Sequence, residues 1–297
     1  MSYFELYVSH SNIFSGYQKA FNQADYVVVG VPFDVTSTYR TGSRFAPLAI
    51  REASLNIETY SFRSNLDIED LKIHDLGDLH ISNDVEKTLK RLEYTVKDLL
   101  KTKKKPILIG GEHTLTLGAT QGIGGKNTAV ISLDAHLDLR SQYMDLATSH
   151  TTFMQRLNEH VKPEKIVEVG TRAVCKEELT YAKKAGIQYF TTKQIREKGL
   201  EATVKAVRKA VENCKRTYLT IDMDVLDPAF APAVQNPEPD GVSIQVLLDL
   251  ICNFCDSRLV GLDLVEVAPP YDKGVTAIQA AKILFEALCR IEKVRKS

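Results

Sequence analysis

The chain has 297 residues, of which 44% are hydrophobic and 26% charged, and its 38 Lys+Arg balance 38 Asp+Glu. That length can bury a large core, the apolar content excludes a disordered chain, and a formal charge of zero leaves no footprint for nucleic acid. No stretch approaches the roughly 18 consecutive apolar residues of a membrane helix, and the opening Met1-Ser-Tyr-Phe-Glu-Leu lacks a basic segment followed by an apolar one. A cytoplasmic protein with no membrane or nucleic-acid partner is expected, and five scattered cysteines fit free thiols in a reducing compartment.

Strand-like and helix-like runs alternate along the chain. Strands are predicted at 26–32, 72–77, 106–110, 129–134, 166–170, 188–191, 216–222 and 259–267. Between them lie amphipathic helical patterns at 84–100, with Asp84 as N-cap, then at 175–185 and 192–213, one from the cap Ser243 to about Cys255, and one over 274–294. The basic run 101–105 closes the first of these helices, where cations are favoured. Cys252 and Cys255 read as a helix face packed into the core, since no second CxxC accompanies them. Continuously apolar strands alternating with helices predict a three-layer αβα sandwich around a mainly parallel, eight-stranded sheet. No linker or repeat divides the chain, so one domain over 1–297 is expected.

Three strand ends carry the chemistry. Residues two apart in an extended chain share a face, so Asp134, His136 and Asp138 of Ser132-Leu-Asp-Ala-His-Leu-Asp138 can converge. Asp222 and Asp224 do the same after 216–222, and Gly110-Gly-Glu-His113 adds an imidazole after a tight turn. Ligands gather at the carboxyl ends of strands in parallel sheets. Four carboxylates and two imidazoles meeting there would repel severely without cations, and two divalent ions would neutralise the four negative charges. Oxygen and imidazole donors suit Mn²⁺, Fe²⁺, Co²⁺ or Zn²⁺, and a pair of ions can supply hydroxide near neutral pH. The loops 33–47, 139–149, 226–241 and 268–273 would project from the same edge. His10, His74, His80 and His160 have no comparable context and receive no role.

At these residues the chain resembles the ureohydrolase family of arginases and agmatinases, and it is most similar to the agmatinase branch. The resemblance covers nearly the whole chain. It is carried by Gly110-Gly-Glu-His-Thr114, Ser132 to Asp138, Ser149-His150, Thr220-Ile-Asp-Met-Asp224 with the Asp227-Pro228 turn, Gly261-Leu-Asp-Leu-Val-Glu266 and Thr41-Gly-Ser-Arg-Phe-Ala-Pro47. It implies an arginase-like fold and two Mn²⁺ per chain. One ion would be held by His113, Asp134, Asp138 and Asp222, the other by Asp134, His136, Asp222 and Asp224. The implied reaction is hydrolysis of a guanidinium group to urea and an amine. Asp138 would orient the nucleophile, Glu266 would pair with the guanidinium, and His150 would shuttle protons. A small guanidino substrate and a trimeric or hexameric homo-oligomer are further implications.

The chain departs from the family pattern at Thr151 after His150, at Ala46, and in the loop Ala233-Val-Gln-Asn-Pro-Glu-Pro-Asp-Gly241. Carboxylates that an arginase would use after the strand at 166–170 are replaced by Ala173 and Cys175, which favours agmatine over arginine. Aminopropyl-agmatine and 4-guanidinobutyrate are the nearest alternatives, and Arg140 near the pocket mouth would suit the latter. Readings from other classes, a single-zinc deacetylase-like enzyme or a catalytically silent interaction protein, fit less well, because a second ligand set is present and all six ligands are intact.

Overall fold

A computed structural model describes residues 3–9 and 12–296; His10 lies outside them. Eight parallel strands form one sheet: β1 Tyr26–Val31, β2 Ile73–Leu79, β3 Lys105–Gly110, β4 Thr128–Leu133, β5 Lys165–Thr171, β6 Gln188–Thr191, β7 Arg216–Asp222 and β8 Leu259–Val265. Their spatial order is β2-β1-β3-β8-β7-β4-β5-β6, and the two residues Val8–Ser9 add a short antiparallel strand outside β2. The residues of β1 and β4 are buried throughout, as strands covered on both faces must be. β2, near the edge, alternates buried and half-buried positions instead.

Alternate residues feed opposite cores. Val28, Ile107 and Ile109 pack on one face with Ile50, Val207, Leu250 and Leu284, from the helices Ala46–Ser54, Leu200–Ala210, Ile244–Phe254 and Val275–Lys296. Val27, Val29 and Leu108 pack on the other with Leu92, Val96 and Leu115, from Val85–Lys101 and Leu115–Ile123. The arrangement is the αβα sandwich that the alternation of elements predicts. The helix expected over 192–213 is two, Thr192–Lys198 and Leu200–Ala210, because Gly199 turns to φ 86° between them. Leu115–Ile123 is a helix that the periodicity did not reveal: it is buried on almost every side and so lacks a polar face. Cys252 and Cys255 sit in or just after the helix Ile244–Phe254, and both are free thiols. In the basic run, Lys101 pairs with Asp98 of its own helix at 2.9 Å, whereas Lys104 donates to the Ala24 carbonyl just before β1 at 2.7 Å.

Arg51 ties the helix Ala46–Ser54 to β2 from a fully buried position. Its guanidinium meets both oxygens of Asp75 at 2.8 and 2.9 Å, Asp78 at 2.5 Å and the Gly77 carbonyl at 3.0 Å. Arg51→Ala strands a buried carboxylate, and a loss of about 3–5 kcal/mol is expected in urea denaturation. Adding Asp75→Asn should return part of that loss; no recovery would show that packing, rather than charge, is what Arg51 supplies.

Candidate metal centre

β3, β8, β7 and β4 are consecutive neighbours in the sheet, and each delivers an ionisable side chain at its carboxyl end. The backbone bends to do so. A Cβ at Gly111 would lie 1.9 Å from the Phe33 carbonyl oxygen, so only glycine lets the chain pass and present His113. Asp222 ends β7 and caps the following turn, accepting from Asp224 N at 2.8 Å. Asp138 and Glu266 adopt φ of 50° and 70°, a conformation that costs ordinary residues about 1–2 kcal/mol and is common at functional sites.

The six predicted ligand residues come together. His113 Nδ1 lies 3.0 Å from Asp134 Oδ2, 3.1 Å from Asp222 Oδ2 and 3.6 Å from Asp138 Oδ2. His136 Nδ1 lies 2.9 Å from Asp224 Oδ2 and 3.6 Å from Asp134 Oδ1. Two ligand clusters result, His113–Asp134–Asp222 and Asp134–His136–Asp224, with Asp134 common to both and the donor atoms of each within 4.8 Å of one another. Asp138 stands beside the first cluster, outside the tightest grouping.

The electrostatics are those of a centre short of positive charge. Burial and neighbouring carboxylates push the Asp138 and Asp222 pKa values well above the usual range. Burial would lower His113, but the closeness of Asp134 and the surrounding aspartates outweighs it and raises it to about 9. His136 rises for the same reason, with Asp224 the leading charge. His113 Nδ1 has no hydrogen-bond partner although it is buried. Hard oxygen donors, neutral imidazoles and an unpartnered ring nitrogen fit divalent metal ions.

Glu266 accepts from His113 N at 2.6 Å through Oε1, while its buried Oε2 has no partner. Burial, then the charges of Asp222 and Glu112, raise its pKa well above the ordinary value. His150 is 4% exposed, with Nδ1 3.3 Å from Thr36 Oγ1 and Nε2 3.1 Å from Thr38 Oγ1. Burial, reinforced by the histidines of the centre, lowers it to about 4, so its imidazole is neutral at pH 7. Thr36 in turn donates to Glu112 Oε1 at 2.6 Å. All of these except Thr36 and Glu112, together with Asn236, Glu238, Ala173 and Val174, border one cavity of about 450 Å³, apart from the deeply placed His113 and Asp134.

Several supporting residues escaped the sequence reading. His113 Nε2 lies 2.7 Å from Thr220 Oγ1, and an N–H donating there leaves Nδ1 free for a metal. Thr116 and Tyr218 hydroxyls donate to Asp263 Oδ2 at 2.8 and 2.7 Å, just behind that contact. Strand register was the available signal for Thr220, which stands two residues before Asp222 on the same side of β7. Thr36, Thr38 and Glu238 lie in loops that the sequence marks as facing this edge, yet nothing in composition singles them out.

The arginase-family sequence profile matches residues 24–289. An agmatinase from Bacillus anthracis is 35% identical, with 91% of this chain and 92% of the relative covered. An N(1)-aminopropylagmatine ureohydrolase from Thermococcus kodakarensis is 36% identical at the same coverage of 91% and 92%. Among solved structures, the agmatine ureohydrolase of Thermoplasma volcanium superposes with a TM-score of 0.90 at 34% identity, covering 97% of each chain.

Arg172, on the cavity wall, ties the end of β5 to both arms of the loop that follows β7, through backbone carbonyls alone among the described residues. Its Nη2 donates to the carbonyls of Asp224 at 2.7 Å, Leu226 at 3.2 Å and Glu238 at 2.7 Å, and its Nε to Pro239 at 2.9 Å. The Val225 and Gly170 carbonyls accept from Nη1 at 3.2 and 3.3 Å. Arg172→Ala leaves these carbonyls unanswered, and a stability loss on the order of 3 kcal/mol is expected. Limited proteolysis should then cut within residues 233–241; a loop as resistant as in the wild type would show that its other ties suffice.

Proposed function

The chain belongs to the arginase family and is a ureohydrolase; on that premise, we propose that it hydrolyses agmatine to putrescine and urea at a pair of Mn²⁺ ions. The observation that carries this reading is the convergence, on one cavity, of two ligand clusters sharing Asp134 and of Glu266 with an unpartnered buried oxygen. His113, Asp134, Asp138 and Asp222 would hold one ion, and Asp134, His136, Asp222 and Asp224 the other. Bound there, the ions supply hydroxide at neutral pH and positive charge where negative charge develops.

The protein's own groups do the rest. Glu266, already fixed by His113 N, offers Oε2 and its remaining lone pairs to the planar guanidinium, whose charge relieves a buried carboxylate. Asp138 accepts a hydrogen bond from the nucleophile and aims it at the guanidinium carbon. His150, neutral at rest between Thr36 and Thr38, takes up a proton and passes it to the departing amine. Ala173 and Val174 give the cavity an apolar stretch where an α-amino acid head would need polar partners, which favours agmatine over arginine. N(1)-aminopropylagmatine is the second reading, supported by the Thermococcus relative, which is as similar to this chain as the agmatinases are. The proposal also takes the enzyme as a single catalytic domain, cytoplasmic and assembled as a trimer or hexamer. Free thiols accord with that compartment, and no helix among the described residues is long and apolar enough to cross a membrane.

Protein loaded with Mn²⁺ should carry two ions per chain by elemental analysis and release urea from agmatine. Arginine should be turned over with kcat/KM about 100-fold lower, since Ala173 and Val174 offer its α-carboxylate no hydrogen-bond donor side chain. Comparable arginine turnover, or a single ion at full activity, would overturn the assignment. His150→Asn should lower kcat by about 10²–10⁴ while leaving the metal content intact, the scale of a lost proton-transfer group. Wild-type turnover in that variant would remove His150 from the mechanism.

A further inference from the structure

Six carboxylates border the cavity: Asp138, Asp222, Asp224, Glu178, Glu238 and Glu266. The three aspartates belong to the metal centre, and Glu266 is held by His113 N. The two oxygens of Glu178 accept from Leu139 N at 3.2 Å and Cys175 N at 2.9 Å, so that carboxylate is engaged in closing its own helix start. Glu238 is different. Its side chain is 41% exposed, and its nearest cationic contact, His136 Nε2, lies at 4.0 Å, beyond hydrogen-bond reach.

The backbone beneath Glu238 is fixed. Arg172 grips its carbonyl and that of Pro239, and the Asp227 carboxylate closes the loop by accepting from Ala229 N and Gly241 N, each at 3.0 Å. A carboxylate pre-positioned in this way gives up little freedom on meeting a ligand. The cavity's other cation, Arg140, stacks 5.1 Å from the Tyr143 ring and has Glu177 as its own counter-charge, a carboxylate whose pKa Ser141 and then Arg140 hold down. Glu238 has no such partner.

We propose that Glu238 is a specificity-determining residue that receives the ammonium at the far end of the substrate, so that the cavity selects guanidino compounds with a cationic tail over neutral or acidic ones. The inference rests on the guanidine-hydrolase reading above. It gives a task to the loop 233–241, in which the chain departs from the family pattern.

The test uses the full-length Mn²⁺-loaded enzyme with three substrates that share a guanidinium: agmatine, butylguanidine and 4-guanidinobutyrate. In Glu238→Gln, the ratio of kcat/KM for agmatine to that for butylguanidine should fall about tenfold, mostly through KM, the scale of one charge-assisted contact. Glu238→Lys should move the agmatine to 4-guanidinobutyrate ratio about a further tenfold toward the acid. Manganese content, measured on the same samples, should match the wild type. A ratio unchanged within twofold, with both substrates slowed alike or manganese lost, would overturn the proposal and assign Glu238 to supporting His136. If the wild type released urea from none of the three, the hydrolase reading itself would fail and this inference with it.

Discussion

Buried negative charge at the carboxyl edge of the sheet is the constraint on which this structure is built. Asp134, Asp138, Asp222, Asp224 and Glu266 are each at most 7% exposed, and the imidazoles of His113 and His136 stand among them. No protein tolerates that concentration of carboxylate in a dry site without cations. The raised pKa values of Asp138, Asp222, Glu266 and both imidazoles express the same crowding of buried carboxylates. The proposed divalent pair and guanidinium are two kinds of positive charge, and they would call for different donors. The aspartates and histidines point their atoms at common centres, whereas Glu266 keeps one oxygen to itself.

The parallel sheet makes the cage possible by register. Glu168, Ser132, Thr220 and Asp263 stand opposite one another on β5, β4, β7 and β8, one row below the ligands. Burial pushes the pKa of both acids of this row upward. Within it, Thr220 reaches His113 Nε2 and Asp263 gathers the Thr116 and Tyr218 hydroxyls. A hydrogen-bonded polar layer beneath the ligands orients the imidazole. The Phe153 ring, 4.2 Å from that of His113, closes its side.

Much of this was legible from residue order alone. The eight parallel strands, their covering helices and the convergence of His113, Asp134, His136, Asp138, Asp222 and Asp224 follow from apolar runs that end in ionisable pairs two residues apart. The simple alternation argument is only part of the geometry, however. β4 stops at Leu133, and Asp138 is brought in by a positive φ rather than by an extended strand. Elements whose pattern is ambiguous were less readable. Leu115–Ile123 has no polar face, the break at Gly199 hides within one continuous amphipathic period, and Val8–Ser9 is too short to announce itself. Arg172 was invisible for a different reason: its partners are six backbone carbonyls, and carbonyls leave no signature in a sequence.

That last point bears on where selectivity can reside. On the proposed reading, carboxylates that hold metal ions would treat the reacting end of any guanidino compound alike, so they would not distinguish one tail from another. Discrimination needs groups that the ions leave free, and at this sheet edge those groups sit on loops. Loops are poor recognition elements when mobile, because the ordering cost subtracts from every contact they make. The chain meets this difficulty with anchors on opposite sides of the loop 226–241: Arg172 on the backbone of Glu238 and Pro239, Asp227 across its base, and Gln235 Nε2 donating to Ser43 Oγ at 2.7 Å. Through Ser43 and the contact of Arg40 with the Pro232 carbonyl at 3.0 Å, the loop is also joined to 33–47, which carries the Thr36 and Thr38 partners of His150. The loop that carries Glu238 and the segment that holds His150 are therefore one mechanical unit. A change of side chain in 233–241 can alter selectivity without reaching the metal centre, provided those anchors are kept.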